Sequence, residues 1–276
     1  MKAERISDRR AILGEGPLWD QEAGRLLWVD ITGQELLATD PATGATSARA
    51  MPGPPSALTL STRGLAVAMG QEMVLAADLR PLAALPEGSP GRMNDGRADP
   101  QGRFWIGTAN ADGRPDCALW RLDGRRPEMV LGGVRMSNGL GWSPDRRRMV
   151  HVDSSTRQLA AFAFDGESGA LSGRRVLHEL PAPFLPDGLA VDAEGGIWLA
   201  VWGMGAVLHL GPDGSVAGRV ELPTPCPTSC AFGGPGLATL FITTAQDGTA
   251  PPDPDAGALF ALRPGVAGLA PPVWRV

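Results

Sequence analysis

A turn followed by an apolar strand returns six times along this chain of 276 residues, and a repeat of that kind restricts the fold more than any local propensity does. The copies run from Asp20 to Asp30, Ser61 to Ala68, Asp99 to Gly107, Ser143 to Asp153, Asp192 to Ala200 and, more loosely, Gly233 to Thr243; successive turns start 38 to 49 residues apart. That spacing is the period of a four-stranded propeller blade. A third apolar segment follows each copy, as in Glu35 to Asp40, Ala118 to Asp123 and Gln158 to Asp165, and a fourth can be drawn in most units, as in Arg174 to His178 and Gly218 to Leu222. The 37 glycines and 26 prolines suit a chain that turns this often, and no stretch carries a helical period. The expectation is an all-β protein, a six-bladed β-propeller with about four antiparallel strands per blade, residues 1–276 forming one domain. The segment from Ala3 to Leu13 is expected to close the ring on the last blade; the alternative is an outer strand made by Pro272 to Val276.

Composition excludes several functions. A net charge of −5 gives no basic face for nucleic acid, and the cluster Arg146-Arg147-Arg148 falls in a turn, where it reads as solvated surface. Three cysteines make no disulfide framework, and Cys226 and Cys230 lack a second pair to complete a zinc site. The chain has no apolar run long enough to span a bilayer, and Met1 to Arg10 lacks the apolar region of a secretory signal. A cytoplasmic protein is expected, with no nucleic acid, membrane or protein partner implied.

The repeat also fixes a register. Five positions before each turn stand Glu15, Ser56, Asn94, Asn138 and Asp187, with Thr228 or Ser229 as the sixth candidate. All belong to the starts of the strands nearest the central channel, so they should ring one of its mouths. Two carboxylates and two carboxamides facing one another are costly to bury without a compensating charge. A hard divalent cation such as Ca²⁺, Mg²⁺ or Mn²⁺ resolves that cost, since every donor is oxygen. The alternative is a water-filled channel with the carboxylates bonded to neighbouring backbone N–H groups. Glycines flank three of these residues, in Gly14-Glu15-Gly16, Asn138-Gly139 and Asp187-Gly188, where they serve either a close approach or a simple turn.

Four motifs carry a family resemblance: Leu13-Gly-Glu-Gly-Pro-Leu-Trp19, Arg92-Met-Asn-Asp-Gly-Arg97 with Asp99 to Thr108, Ser137-Asn-Gly-Leu-Gly-Trp-Ser143, and Pro186-Asp-Gly-Leu-Ala-Val-Asp-Ala-Glu-Gly195. In order and spacing, from about residue 11 to about 265, the chain resembles the regucalcin/gluconolactonase (senescence-marker-protein-like) family. The resemblance implies a six-bladed propeller that hydrolyses a sugar-acid lactone with one divalent metal cation. It implies that Glu15, Asn138 and Asp187 hold the metal, that Asp187 is also the general base, and that Arg92 and Asn94 contact the substrate. The segment from Ala109 to Asp116 looks shorter than in the animal members, so the acidic substrate contact they carry there has no clear counterpart.

Neither the sugar, among glucono-, xylono- and arabinonolactone, nor the metal, among Ca, Mg, Mn, Zn and Fe, is named by the sequence. Two other classes stay open: a propeller hydrolase of aryl esters or organophosphates, and a non-catalytic divalent-cation-binding propeller. The second-to-third strand connections are expected on the active face. The longest, Thr244 to Gly257, reads as a partial lid, and Trp202 and Met204 as side chains that either pack on a sugar or serve structure. His151 is expected to be a core or channel histidine.

Overall fold

The computed structural model describes residues 1–110, 112–246 and 253–276. Six four-stranded antiparallel sheets follow one another along the chain. Their innermost strands are Gly14–Asp20, Pro55–Ser61, Arg92–Ala98, Ser137–Trp142, Leu185–Val191 and Pro227–Gly233. Each packs against the next, and the last returns to the first, so the sheets close a six-bladed β-propeller. Among the described residues there is no α-helix, only two short 3₁₀ turns, and no helix is long and apolar enough to cross a membrane.

The residue that opens the repeated turn explains why the turn recurs. Asp192 is buried, and its Oδ1 accepts the N–H groups of Glu194 (2.9 Å) and Gly196 (2.8 Å). Its Oδ2 accepts the indole N–H of Trp198 at 2.9 Å. Asp99 does the same for Gln101, Arg103 and Trp105, six positions on. One carboxylate thus satisfies the turn backbone and the polar edge of the tryptophan that the next strand buries. Ser143 gives a smaller version, accepting the Arg148 N–H at 3.0 Å.

Hydrophobic side chains form six clusters, one at each blade-to-blade contact. Leu27, Val29 and Leu58 join the first two blades, while Trp28, Phe241 and Leu259 join the first to the last. Phe104 and Met73, Trp105 and Trp142, Val150 and Leu199, and Trp198 and Phe232 mark the other four. Both faces of each sheet are therefore buried except toward the rim, which is why second strands such as Phe104–Ala109 and Ile197–Trp202 read as near-continuous apolar runs.

The ring closes through the N-terminus. Strand Glu4–Arg10 pairs antiparallel with Ala258–Leu262 as the outer strand of the last blade. The C-terminus does not complete a blade. It crosses the face where the innermost strands end, held by Gly268 N–H to the Leu237 carbonyl (2.9 Å) and Trp274 N–H to the Leu60 carbonyl (2.8 Å). Trp274 is buried against Phe104, with its indole N–H on the Gly124 carbonyl at 3.1 Å.

Candidate active site at the channel mouth

Each innermost strand slips register against its neighbour at the position the repeat singles out. The slips fall between Glu15 and Leu18, Pro55 and Ala57, Met93 and Gly96, Ser137 and Leu140, Pro186 and Leu189, and Pro227 and Ser229. Extra residues in a strand bend it and re-aim side chains out of the ladder. The skipped residues include Ser56, Asn94, Asn138, Asp187 and Thr228, so Thr228 rather than Ser229 is the sixth member. It turns away from the mouth, however, donating from its hydroxyl to the Gly14 carbonyl at 2.5 Å.

The flanking glycines permit this geometry in two ways. Gly16 holds a left-handed φ of 55° just after Glu15. Gly139 is needed for approach: a Cβ there would sit 2.6 Å from the Asp187 carbonyl oxygen and 2.8 Å from the Leu189 nitrogen.

Glu15, Asn138 and Asp187 are all buried and come together at one mouth. Burial raises the Glu15 pKa well above the ordinary carboxylate range, and repulsion from Asp187 and Asp95 adds to it; the Gly16 N–H and Arg92 pull it back. Asp187 is likewise raised, by burial and then by Asp95, against hydrogen bonds from Asn138 and Gly188. Asp95, enclosed deep in the channel, is raised by desolvation despite the attraction of Arg97. Sequence reasoning passed over Asp95; its only signal was its place beside Asn94 within the same slipped pair.

Backbone donors alone do not satisfy the carboxylates. Glu15 Oε2 accepts one N–H, from Gly16 at 2.9 Å, while Asp187 Oδ1 is buried with no hydrogen-bond partner, as is the Ser56 hydroxyl. An unsatisfied carboxylate oxygen beside a second buried carboxylate is the environment that a cation would stabilise. Among the described residues no three His, Cys, Asp or Glu side chains cluster at ligand spacing. Glu15, Asp187 and Asn138 offer two carboxylates and a carboxamide, oxygen donors of the kind a hard divalent ion accepts.

Ser154 anchors that carboxamide. Asn138 Nδ2 donates to the Ser154 hydroxyl at 3.1 Å, and that hydroxyl donates to the Pro186 carbonyl at 2.6 Å. The second Nδ2 hydrogen lies toward Asp187, so the amide is anchored between Ser154 and the mouth. On the other side, Arg92 Nη1 donates to Asn94 Oδ1 and to the Met93 carbonyl, both at 2.9 Å. Asn94 Nδ2 in turn donates to the Ser137 carbonyl at 2.9 Å, next to Asn138. Burial lowers the Arg92 pKa, and Glu15 partly restores it.

The remaining sequence expectations fall as follows. His151 is buried, its Nε2 sharing a hydrogen bond of 2.7 Å with the Ser137 hydroxyl, and burial lowers its pKa to about 4, so it is a neutral core residue. Near Arg92, Asp116 accepts from Asn110 at 2.7 Å and Asp112 pairs with Arg114. Trp202 ends its strand half-buried, and Met204 packs on the cluster between the fourth and fifth blades. The three cysteines are buried and form no disulfide. The middle of the expected lid, residues 247–252, lies outside the described residues.

Residues 13–246 match the SMP-30/gluconolactonase/LRE-like region. The chain belongs to that family. Its relatives include the pentonolactonase XacC of Haloferax volcanii, 38% identical, with 95% of this chain and 94% of that protein covered. The 6-deoxy-6-sulfogluconolactonase of Pseudomonas putida is 35% identical over 96% of this chain and 95% of its own. Among solved structures, a calcium-binding regucalcin from Agrobacterium tumefaciens superposes with a TM-score of 0.90 at 28% identity, covering 100% of this chain and 98% of that one.

Proposed function

We propose that this chain hydrolyses the ester bond of a sugar-acid lactone to the open aldonic acid, with one divalent cation held by Glu15, Asn138 and Asp187. The observation that carries the reading is the mouth itself, where two buried carboxylates and a carboxamide come from three blades and Asp187 Oδ1 has no hydrogen-bond partner among the described residues. Relatives named as sugar lactonases, aligned over nearly the whole chain, narrow the ester to a sugar-acid lactone. The calcium-binding name of the regucalcin neighbour supports a divalent ion. When bound, such an ion supplies Lewis acidity at the carbonyl oxygen.

The chain's own residues supply the rest. Asp187 takes a proton from the attacking water. The water oxygen bonds to the lactone carbonyl carbon, the ring C–O bond breaks, and the proton passes from Asp187 to the departing ring oxygen. Arg92 uses Nη1 within the protein and keeps Nε and Nη2 for the substrate, while Asn94 keeps its second amide hydrogen. Both groups sit beside the three oxygen donors, where they orient ring hydroxyls.

A pH-indicator assay over glucono-, xylono- and arabinonolactone and a set of aryl esters, with and without chelator, tests the reading. Turnover of at least one aldonolactone, lost on chelation and restored by a divalent salt, is expected. Turnover of aryl esters alone, or lactone turnover indifferent to chelator, overturns it.

A further inference from the structure

A cavity lies beyond the mouth that holds Glu15 and Asp187. It lies at the opposite end of the channel, between the far halves of the innermost strands and the C-terminal segment, and measures about 520 Å³. That is within the size range of small-molecule pockets. Its wall is mainly apolar, with Leu18, Trp19, Leu58, Trp142, Val191 and Phe232 contributing most of the bulk. Water is poorly held by such a wall, because each molecule needs several polar partners.

Three charged residues line this chamber, Arg97, Arg146 and Asp95. Arg97 follows the slipped segment of the third blade, and among the described residues its hydrogen bonding is a single contact, from Nη2 to the Leu189 carbonyl at 2.9 Å. A guanidinium carries five N–H donors, and this one lines the cavity within electrostatic reach of Asp95. Arg146 adds a second cation to the lining and Asp95 is its one acid; Asp95 Oδ1 accepts the Gly96 N–H at 2.7 Å. The lining thus combines an apolar body with a net positive pole.

The cover over the chamber is Leu269-Ala-Pro-Pro-Val273. It is pinned on one side at Gly268 and on the other at Trp274. Pro271 and Pro272 have no N–H to give a ladder, so the span bridges the opening rather than joining a sheet. Leu269 and Val273 keep 39% and 44% of their surface exposed.

We propose that this chamber is a second binding site, separate from the lactone site, for a small carboxylate with an apolar body. Its carboxylate is held by Arg97 and its hydrocarbon part by the tryptophan-lined wall under the C-terminal strap. Two cations against one acid in a mainly apolar lining favour an anion with an apolar body over a cation.

Calorimetric titration with octanoate and with 1-octanol tests the proposal on the wild-type chain and on Arg97→Met, Leu18→Trp and Asp187→Asn. Octanoate should bind one per chain. Its dissociation constant should rise at least tenfold in Arg97→Met, which removes the anchor, and in Leu18→Trp, which fills the chamber, and stay unchanged in Asp187→Asn. 1-Octanol should bind wild type and Arg97→Met alike. No saturable octanoate binding, binding that survives both Arg97→Met and Leu18→Trp, or binding lost in Asp187→Asn overturns it. The Asp187→Asn arm separates this site from the lactone site, and the result does not depend on lactone turnover.

Discussion

Asp187 is assigned two tasks, holding a cation and accepting a proton, and the two leave different marks. In Asp187→Asn one oxygen donor remains but the base is gone. At saturating divalent salt, kcat should fall by roughly 10²- to 10⁴-fold, the usual worth of a positioned base. A kcat within a fewfold of wild type would remove Asp187 as the base and leave it only as a ligand. Ser154 anchors the Asn138 amide, accepting from its nitrogen and donating to the Pro186 carbonyl. Ser154→Ala should therefore weaken cation binding by roughly 10- to 100-fold, as loss of an orienting partner does, while kcat recovers when the cation is raised. Calorimetric titration with Ca²⁺ or Mn²⁺ reads the first effect and steady-state kinetics the second. Unchanged affinity would make Ser154 a packing residue only.

At the scale of the strand, the slip in each innermost ladder does the positioning, and it needs two neighbouring backbones to approach closely. Gly139→Ala places a methyl against the Asp187 carbonyl and the Leu189 nitrogen, both backbone atoms that cannot rotate aside. A cost of about 1–3 kcal/mol is expected from such overpacking, read as a lower urea midpoint with an unchanged slope. A midpoint equal to wild type would mean the two strands can separate freely. This element also marks what the sequence could and could not reveal. The period of the turns and the five-residue count were legible, because Asp192 and Asp99 each tie a turn to a tryptophan six positions later and so keep every copy in step. The slips were not legible, since strands as rich in glycine and polar residues as Arg92–Ala98 and Ser137–Trp142 carry no clear alternation whose phase could be seen to shift. Asp95 and Ser154 were missed for related reasons. Asp95 sits in the shadow of Asn94, and Ser154 acquires its role from a partner 16 positions away. The C-terminal strap reads as a proline-rich tail until Trp274 is seen buried in a blade contact.

For the whole molecule, the site is a store of electrostatic cost that the fold must carry. Folding raises the pKa values of Glu15, Asp187 and Asp95. These groups hold protons to higher pH in the folded chain than in the unfolded one, so stability is lost as pH rises from the ordinary carboxylate range through the raised values. His151 acts in the opposite sense. Its pKa falls from 6.5 to about 4 on burial, so stability rises with pH across that interval and is flat above it. A scan of wild type alone would mix the two trends. Comparing Asp187→Asn with wild type in chelator cancels His151, and the variant should melt higher by a margin that is small near pH 5 and grows toward pH 8. A divalent salt should reverse the order at pH 8, because it binds the wild-type carboxylate pair more tightly than the variant and stabilises it more. At a hundredfold excess over its dissociation constant it adds about 2.7 kcal/mol, or roughly 5 to 10 °C for a protein of this size. A margin that shrinks with rising pH would mean that the Asp187 carboxylate is stabilised by the folded chain itself, and the case for a cation at this mouth would fall with it.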